Sequence, residues 1–315
     1  MTTMDPVTFE IQNLYYQNAY KGCISSALKH APNGVQDETS LVRLVYAARA
    51  AISLGDLQGA RQYLGDDSEY PMAMSVLLYA DFLEAQNRGD NKEALGILEQ
   101  LESLLDVAEP GELAAEVVRY HIGLALFAND ETEKALEVLG VANAGTSREL
   151  ECVALGVHIL LAIHRVDLAE KEYLAARQWG DDLLLVQFME AWIGLVRGGR
   201  ATQQAYYVYD ELSQSSAVAH SANTVPTMLG KAVAQAALGE PRQALTELRE
   251  AAELDQENTT LTCDQAAIAA LCSDTTQEER TAFADQMKLA APYSELAQNW
   301  AAKELELDEA IASFA

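Results

Sequence analysis

The chain is 315 residues long and sets 21 Lys and Arg against 48 Asp and Glu, a formal net charge of −27 at pH 7. A surface so acidic repels phosphodiester backbones and anionic lipid headgroups, which excludes nucleic acid and direct membrane insertion from the expected partners. Half of the residues are apolar, enough for a packed core, and the prevalence of Ala, Leu, Glu, Gln and Arg favours helix. An all-α fold is the first expectation.

Taken in chain order, one phrase recurs: a corner containing Gly, Asp or Asn, a short step, an Ala, and an apolar residue four positions later. It reads AYKGCISSAL (19–28, with Cys in the Ala position), GDLQGARQYL (55–64), GDNKEALGIL (89–98), DETEKALEVL (130–139), RVDLAEKEYL (165–174), RATQQAYYVY (200–209) and GEPRQALTEL (239–248). The anchors Cys23, Ala60, Ala94, Ala135, Ala169, Ala205 and Ala244 are spaced by 37, 34, 41, 34, 36 and 39 residues. An amphipathic run precedes most of them, such as LVRLVYAARAAISL, VVRYHIGLALF and LECVALGVHILLAI. Two helices per unit, with a small residue where the second meets the first, is the tetratricopeptide pattern. The expected architecture is a superhelical solenoid of about seven to eight helix–turn–helix repeats plus a C-terminal capping helix. Residues 1–255 form its core; 256–315 form an irregular last helix pair and a final helix of the same domain.

Proline placement agrees. Pro6, Pro71, Pro110, Pro226, Pro241 and Pro292 fall at predicted helix starts or corners and Pro32 between repeats, none in a helix interior, where it would cost about 3 kcal/mol or more. The Ser/Ala-rich stretch 213–225 reads as a loop or a ragged helix end. After Asp255 the pattern blurs, and the segments ENTTLTCDQAAIAALCSD and EERTAFADQMKLAA are compatible with an eighth helix pair.

No catalytic, cofactor-binding or metal-binding residue is expected. GLVRGGR (194–200) lacks the lysine of a phosphate loop, and the five histidines, His30, His121, His158, His164 and His220, have no metal-ligand spacing. Asp66-Asp67 and Asp181-Asp182 read as turn residues at helix caps. The four cysteines, Cys23, Cys152, Cys263 and Cys272, form no CxxC pair and read as buried free thiols in a reducing cytosol. The opening MTTMDPVTFEIQ resembles neither a secretory signal nor a transit peptide, and the longest apolar run, Val153 to Ile163, is too short to cross a bilayer.

A solenoid of this kind binds a protein segment in the groove lined by its first helices. Counting back 15, 11 and 8 positions from the anchors gives the expected groove residues. They are Tyr79, Leu83 and Gln86; Tyr120, Leu124 and Phe127; Ala154, His158 and Leu161; and Glu190, Gly194 and Arg197. The stripe is mostly aromatic and aliphatic, which suits a permanent apolar partner. It lacks the Lys/Asn/Arg clamp with which chaperone-binding repeats hold a carboxylate. A cytosolic adaptor or co-chaperone for short linear peptides is the alternative reading of the residues.

Four stretches carry a resemblance. FEIQNLYYQNAYKGCISSAL (9–28), ELECVALGVHILLAIHRVDLAEKEY (149–173), EAWIGLVRGGRATQQAYYVYDEL (190–212) and ALGEPRQALTELREAAELD (237–255) are similar to the ε-COP family, the epsilon subunits of the coatomer of COPI vesicles. Residues 259–275 depart from the family's more apolar pattern. The resemblance implies a non-catalytic coat subunit whose repeats curl around the C-terminal domain of α-COP, with β′-COP and the rest of coatomer in the same complex. It further implies a cytoplasmic protein, peripheral on Golgi membranes and COPI-coated vesicles, that supports Golgi-to-ER and intra-Golgi transport. By the same resemblance Tyr79, Leu83, Tyr120, Leu124, Phe127, His158, Leu161, Glu190 and Arg197 are expected to meet α-COP.

Overall fold

The structure, a computed structural model, describes residues 5–65, 68–108, 112–141, 148–214, 224–256, 258–292 and 294–314. Pro110, Asp66, Asp67, His220 and most of the 213–225 stretch therefore lie outside the described residues. Among those described there are seventeen α-helices and no strand. Among the described residues no helix is long and apolar enough to cross a membrane.

The chain packs as two compact units, Met1–Arg197 and Gly198–Ala315. The first contains α1 (Pro6–Tyr16), α2 (Tyr20–His30), α3 (Glu38–Ser53), α4 (Leu57–Leu64), α5 (Pro71–Arg88), α6 (Asn91–Ser103), α7 (Leu113–Ala128), α8 (Thr132–Val138), α9 (Leu150–Ala162), α10 (Val166–Gly180) and α11 (Leu184–Arg197). The second contains α12 (Arg200–Ser213), α13 (Val225–Ala237), α14 (Pro241–Leu254), α15 (Thr259–Leu271), α16 (Gln277–Ala290) and α17 (Glu295–Phe314). Within the first unit the odd-numbered helices up to α9 are the first helices of repeats and the even-numbered ones the second; in the second unit α13 and α15 are first helices, followed by α14 and α16. The blurred region after residue 255 folds as the pair α15–α16, which pack on each other.

The recurring phrase now has a local cause. The residue five positions before the anchor is left-handed in six of the seven repeats: Asn18, Gly55, Gly89, Asp130, His164 and Gly239, with φ between 58° and 87°. That conformation ends the first helix and turns the chain back, which is why Gly, Asn and Asp recur there. His164 stands at this corner too, so its place is explained by the backbone and not by chemistry. The next residue caps the second helix in two repeats. Asp56 Oδ1 accepts from the Gly59 N–H at 2.8 Å and Asp90 Oδ1 from the Glu93 N–H at 3.0 Å. The anchors themselves are buried, none more than 3% exposed, which leaves room for the preceding helix. Pro6, Pro71, Pro226 and Pro241 occupy the first or second helical position, while Pro32 and Pro292 stand between helices.

In the second unit Val225, Met228, Leu229, Leu245, Leu248, Leu261 and Ile268 form one core. A smaller one joins Ala266 of α15, Met287 of α16 and Ala297 of α17, flanked by Leu296 and Trp300. The first two turns of α17 thus cap the last pair, as expected. Its remaining turns do not: residues 301–313 are all exposed.

Candidate partner-binding site

The interior of the first unit is built by its odd-numbered helices, α1, α3, α5, α7, α9 and α11. At its centre lies Arg49 of α3, 3% exposed. Its guanidinium carbon sits 4.6 Å from the ring centre of Tyr15, 4.5 Å from Tyr120 and 5.2 Å from Tyr46, a stack of cation–π contacts. Arg49 Nη2 donates to Glu151 Oε2 of α9 at 2.6 Å. The other carboxylate oxygen accepts from the hydroxyls of Tyr16 at 2.6 Å and Tyr46 at 2.7 Å, and Gln12 Nε2 donates to both hydroxyls. Arg49 Nε and Nη1 have no hydrogen-bond acceptor and lie among the flanking rings. The cluster ties α1 and α3 to α9 across more than a hundred residues of sequence.

Electrostatics follow from this packing. Burial alone would raise the Glu151 carboxyl, but the Arg49 charge and three donors hold it below the usual carboxylate range. Burial first, and the Glu151 charge second, push the Tyr16 and Tyr46 hydroxyls well above theirs. His121, 1% exposed and 3.1 Å from Ser75 Oγ through Nδ1, is held well below the ordinary imidazole value by burial. It is a structural histidine. The Cys23 thiol is pushed up to about 12 by burial, and all four cysteines are free. Among the described residues no group of three His, Cys, Asp or Glu is placed to hold a metal ion.

Glu116 of α7 stands beside this cluster and accepts from the Glu151 backbone N–H at 3.0 Å. Burial, and next the Glu151 charge, push its carboxyl up to about 7. The folded chain therefore holds this proton more tightly than the unfolded one. The stability it contributes is complete below a pH of about 4.5 and is lost as pH rises through about 7. Glu116→Gln keeps the acceptor and removes the titration. Urea unfolding is expected to find the variant more stable than wild type by about 1–3 kcal/mol at alkaline pH, with no difference in acid. Parallel pH profiles for the two proteins would refute this.

Gln12, Tyr16 and Glu151, at the outer side of the cluster, line a cavity of about 1610 Å³ and form its floor. Its walls come from the same six helices, including Phe9 and Tyr16 of α1, Leu41 of α3, Met72 of α5, Leu113 and Arg119 of α7, Leu150 and Glu151 of α9, and Leu184 of α11. Arg119 is paired with Glu149 at the rim. About half of the lining is aliphatic, and Asp5, Glu38, Glu112, Glu116, Arg148 and Glu149 also face the opening, so the funnel mixes an apolar surface with mostly acidic charge.

None of the nine residues expected to meet a partner lines this funnel; they lie elsewhere along the same helices. Tyr79 and Tyr120 are half-buried and already engaged: Tyr120 covers Arg49, and Tyr79 sits 5.5 Å from the His121 ring and 6.3 Å from that of Phe82. Leu83, Leu124, Phe127 and Leu161 are half-buried, while His158, Glu190 and Arg197 are exposed. His158 stands 6.2 Å from the Trp192 ring, and Arg197 Nη1 pairs with Glu170 Oε1 of α10 at 2.6 Å. Of the three remaining counted positions, Ala154 and Gly194 are buried and Gln86 donates to the Ala128 carbonyl. The counting missed the Arg49–Glu151 pair. Its signal was present: each is a single charge inside an apolar run, Arg49 in LVYAARAAIS and Glu151 in LECVALGVHILLA.

Comparison with known proteins bears on the whole chain. The family described as "Coatomer epsilon subunit" matches residues 4–315. Coatomer subunit epsilon-1 of Arabidopsis thaliana is 27% identical over 308 residues, covering 98% of this chain and 97% of that protein. Coatomer subunit epsilon-2 of Oryza sativa subsp. japonica is 25% identical over 308 residues, covering 96% and 95%. Among solved structures, a tetratricopeptide repeat protein from Parabacteroides merdae ATCC 43184 is similar with a TM-score of 0.53 at 12% identity, covering 88% of this chain and 96% of that one. That likeness speaks to the fold alone, an all-α tetratricopeptide solenoid. With a family match from residue 4 to residue 315 on top of the repeat architecture, the chain belongs to the coatomer epsilon subunit family, components of the COPI coat.

Proposed function

We propose that this chain is a non-catalytic coat subunit that binds and stabilises the C-terminal domain of α-COP, within an α/β′/ε subcomplex that supports Golgi-to-ER and intra-Golgi transport. Its place in the cell is then the cytoplasm and, as part of coatomer, the surface of Golgi membranes and vesicles. The observation that carries the reading is the funnel. A cavity of about 1610 Å³ exceeds the roughly 300–1,000 Å³ usual for small-molecule sites and suits a folded-back polypeptide segment. The aliphatic half of its lining favours burial of an apolar segment. The partner extends from the funnel over Leu83, Leu124, Phe127, His158, Leu161, Glu190 and Arg197, with Tyr79 and Tyr120 supporting that surface from within.

The test is size-exclusion chromatography with light scattering, on the chain alone and after co-expression with an α-COP C-terminal fragment. A 1:1 complex that survives high salt is expected, because apolar burial is little screened. Phe127→Asp is expected to abolish it while leaving helical content intact. Tyr120 is a poor choice for this purpose, since its replacement would uncover Arg49. A monodisperse chain that ignores α-COP would overturn the reading and favour a linear-peptide adaptor.

A further inference from the structure

The last helix carries an apolar stripe of which only the first part is used. At 100° per residue, Leu296, Trp300, Leu307 and Ile311 fall within an arc of about 60°. Leu296 and Trp300 pack against the small core of α15 and α16. Leu307 and Ile311 continue the same stripe in empty solvent, each 59% exposed. A helical segment of this length has little stability of its own, and helices in proteins persist chiefly through the burial of such a face. Its flanks are acidic. Lys288 is consumed by Glu304 and Lys303 by Glu306, at 2.7 Å each, while Asp308, next to the stripe, has no ion pair among the described residues.

We infer that the free half of α17 is a second docking element, which lays Leu307 and Ile311 into an aliphatic groove rimmed by lysine or arginine side chains on the C-terminal domain of α-COP. Charge selects this occupant. A second copy of the chain, at net −27, would bring acid against Glu306 and Asp308, and an anionic lipid surface would do the same. A basic rim instead neutralises the flanks as the stripe is buried, which is the helix-in-groove mode with anchors at i and i+4. The inference rests on the reading that α-COP is the partner.

Isothermal titration of the full chain with the purified α-COP C-terminal domain tests it. Leu307→Asp/Ile311→Asp is expected to weaken binding about a hundredfold with helical content retained. Leu305 lies on the same turns, 62% exposed, but about 160° from Leu307 around the helix. Leu305→Asp is therefore expected to change affinity by no more than about twofold. Equal affinity of the double variant and wild type would overturn the inference, and so would an equal loss from Leu305→Asp, which would mean that the helix and not its face had been damaged. Dimerisation of the wild type that Leu307→Asp/Ile311→Asp abolishes would assign the stripe to a second copy. Failure of the wild type itself to bind would instead refute the coat-subunit reading, and this inference with it.

Discussion

Glu151→Ala is expected to destabilise the Met1–Arg197 unit by about 3–5 kcal/mol, because it strands a buried charge. Arg49 is 3% and Glu151 4% exposed, so water does not replace the lost partner. Two tyrosine hydroxyls, those of Tyr16 and Tyr46, lose their acceptor in the same step. The cation–π contacts with Tyr15 and Tyr120 remain, but each contributes only about 0.5–2 kcal/mol and was present before. Arg49→Met/Glu151→Leu removes both charges, and is expected to recover much of the loss, since a buried pair replaced by apolar groups is often neutral. Urea unfolding followed by circular dichroism measures all three proteins. A loss below about 1 kcal/mol for Glu151→Ala would mean that the pair is hydrated and is no latch. The floor of the funnel goes with the latch, so the same variant is expected to lose α-COP even where it stays folded.

The repeats were legible in the sequence because each is set within a few residues. A left-handed corner, in two repeats an Asp cap, and a small anchor all fall inside a six-residue window, and a chain of such windows reads off directly as helix pairs. Even the non-glycine corners Asn18 and Asp130 belong to residue types that tolerate this backbone. The interior was less legible for a geometric reason. Counting from an anchor tells which face of a first helix points inward, and does not tell what lies opposite, because that depends on small rotations summed over several repeats. Arg49 and Glu151 are 102 residues apart, and no spacing rule connects them. Tyr79 and Tyr120 were expected to face a partner, yet α3 brings a guanidinium to Tyr120 and α7 brings His121 to Tyr79. The last helix shows the converse limit. Its stripe reads as a uniform cap, but the apolar surface of α15 and α16 ends after Trp300 and the helix does not.

Gly156→Val is expected to cost about 3 kcal/mol or more, and Gly156→Ala to be destabilising although Ala is the better helix former by about 1 kcal/mol. The corner after α8 is wedged between two first helices. Leu139, 1% exposed, packs onto Gly123 of α7, and Val141, 3% exposed, onto Gly156 of α9. A Cβ at position 156 would lie 2.4 Å from Val141 Cγ2 and 2.8 Å from its Cβ. Valine is branched at that carbon, so no rotamer change clears the overlap and the corner itself must shift. Gly96 of α6 is the control: a Cβ there meets nothing within 4 Å. Gly96→Ala is expected to stabilise by about 0.5–1 kcal/mol, from helix propensity alone. The two alanine variants thus have opposite signs in the same thermal or urea unfolding experiment. If both stabilise, the corner has room to move, α9 is not fixed by Val141, and the alignment of Glu151 with Arg49 must be set from the other side, by α7 and its Glu116 contact with the Glu151 backbone.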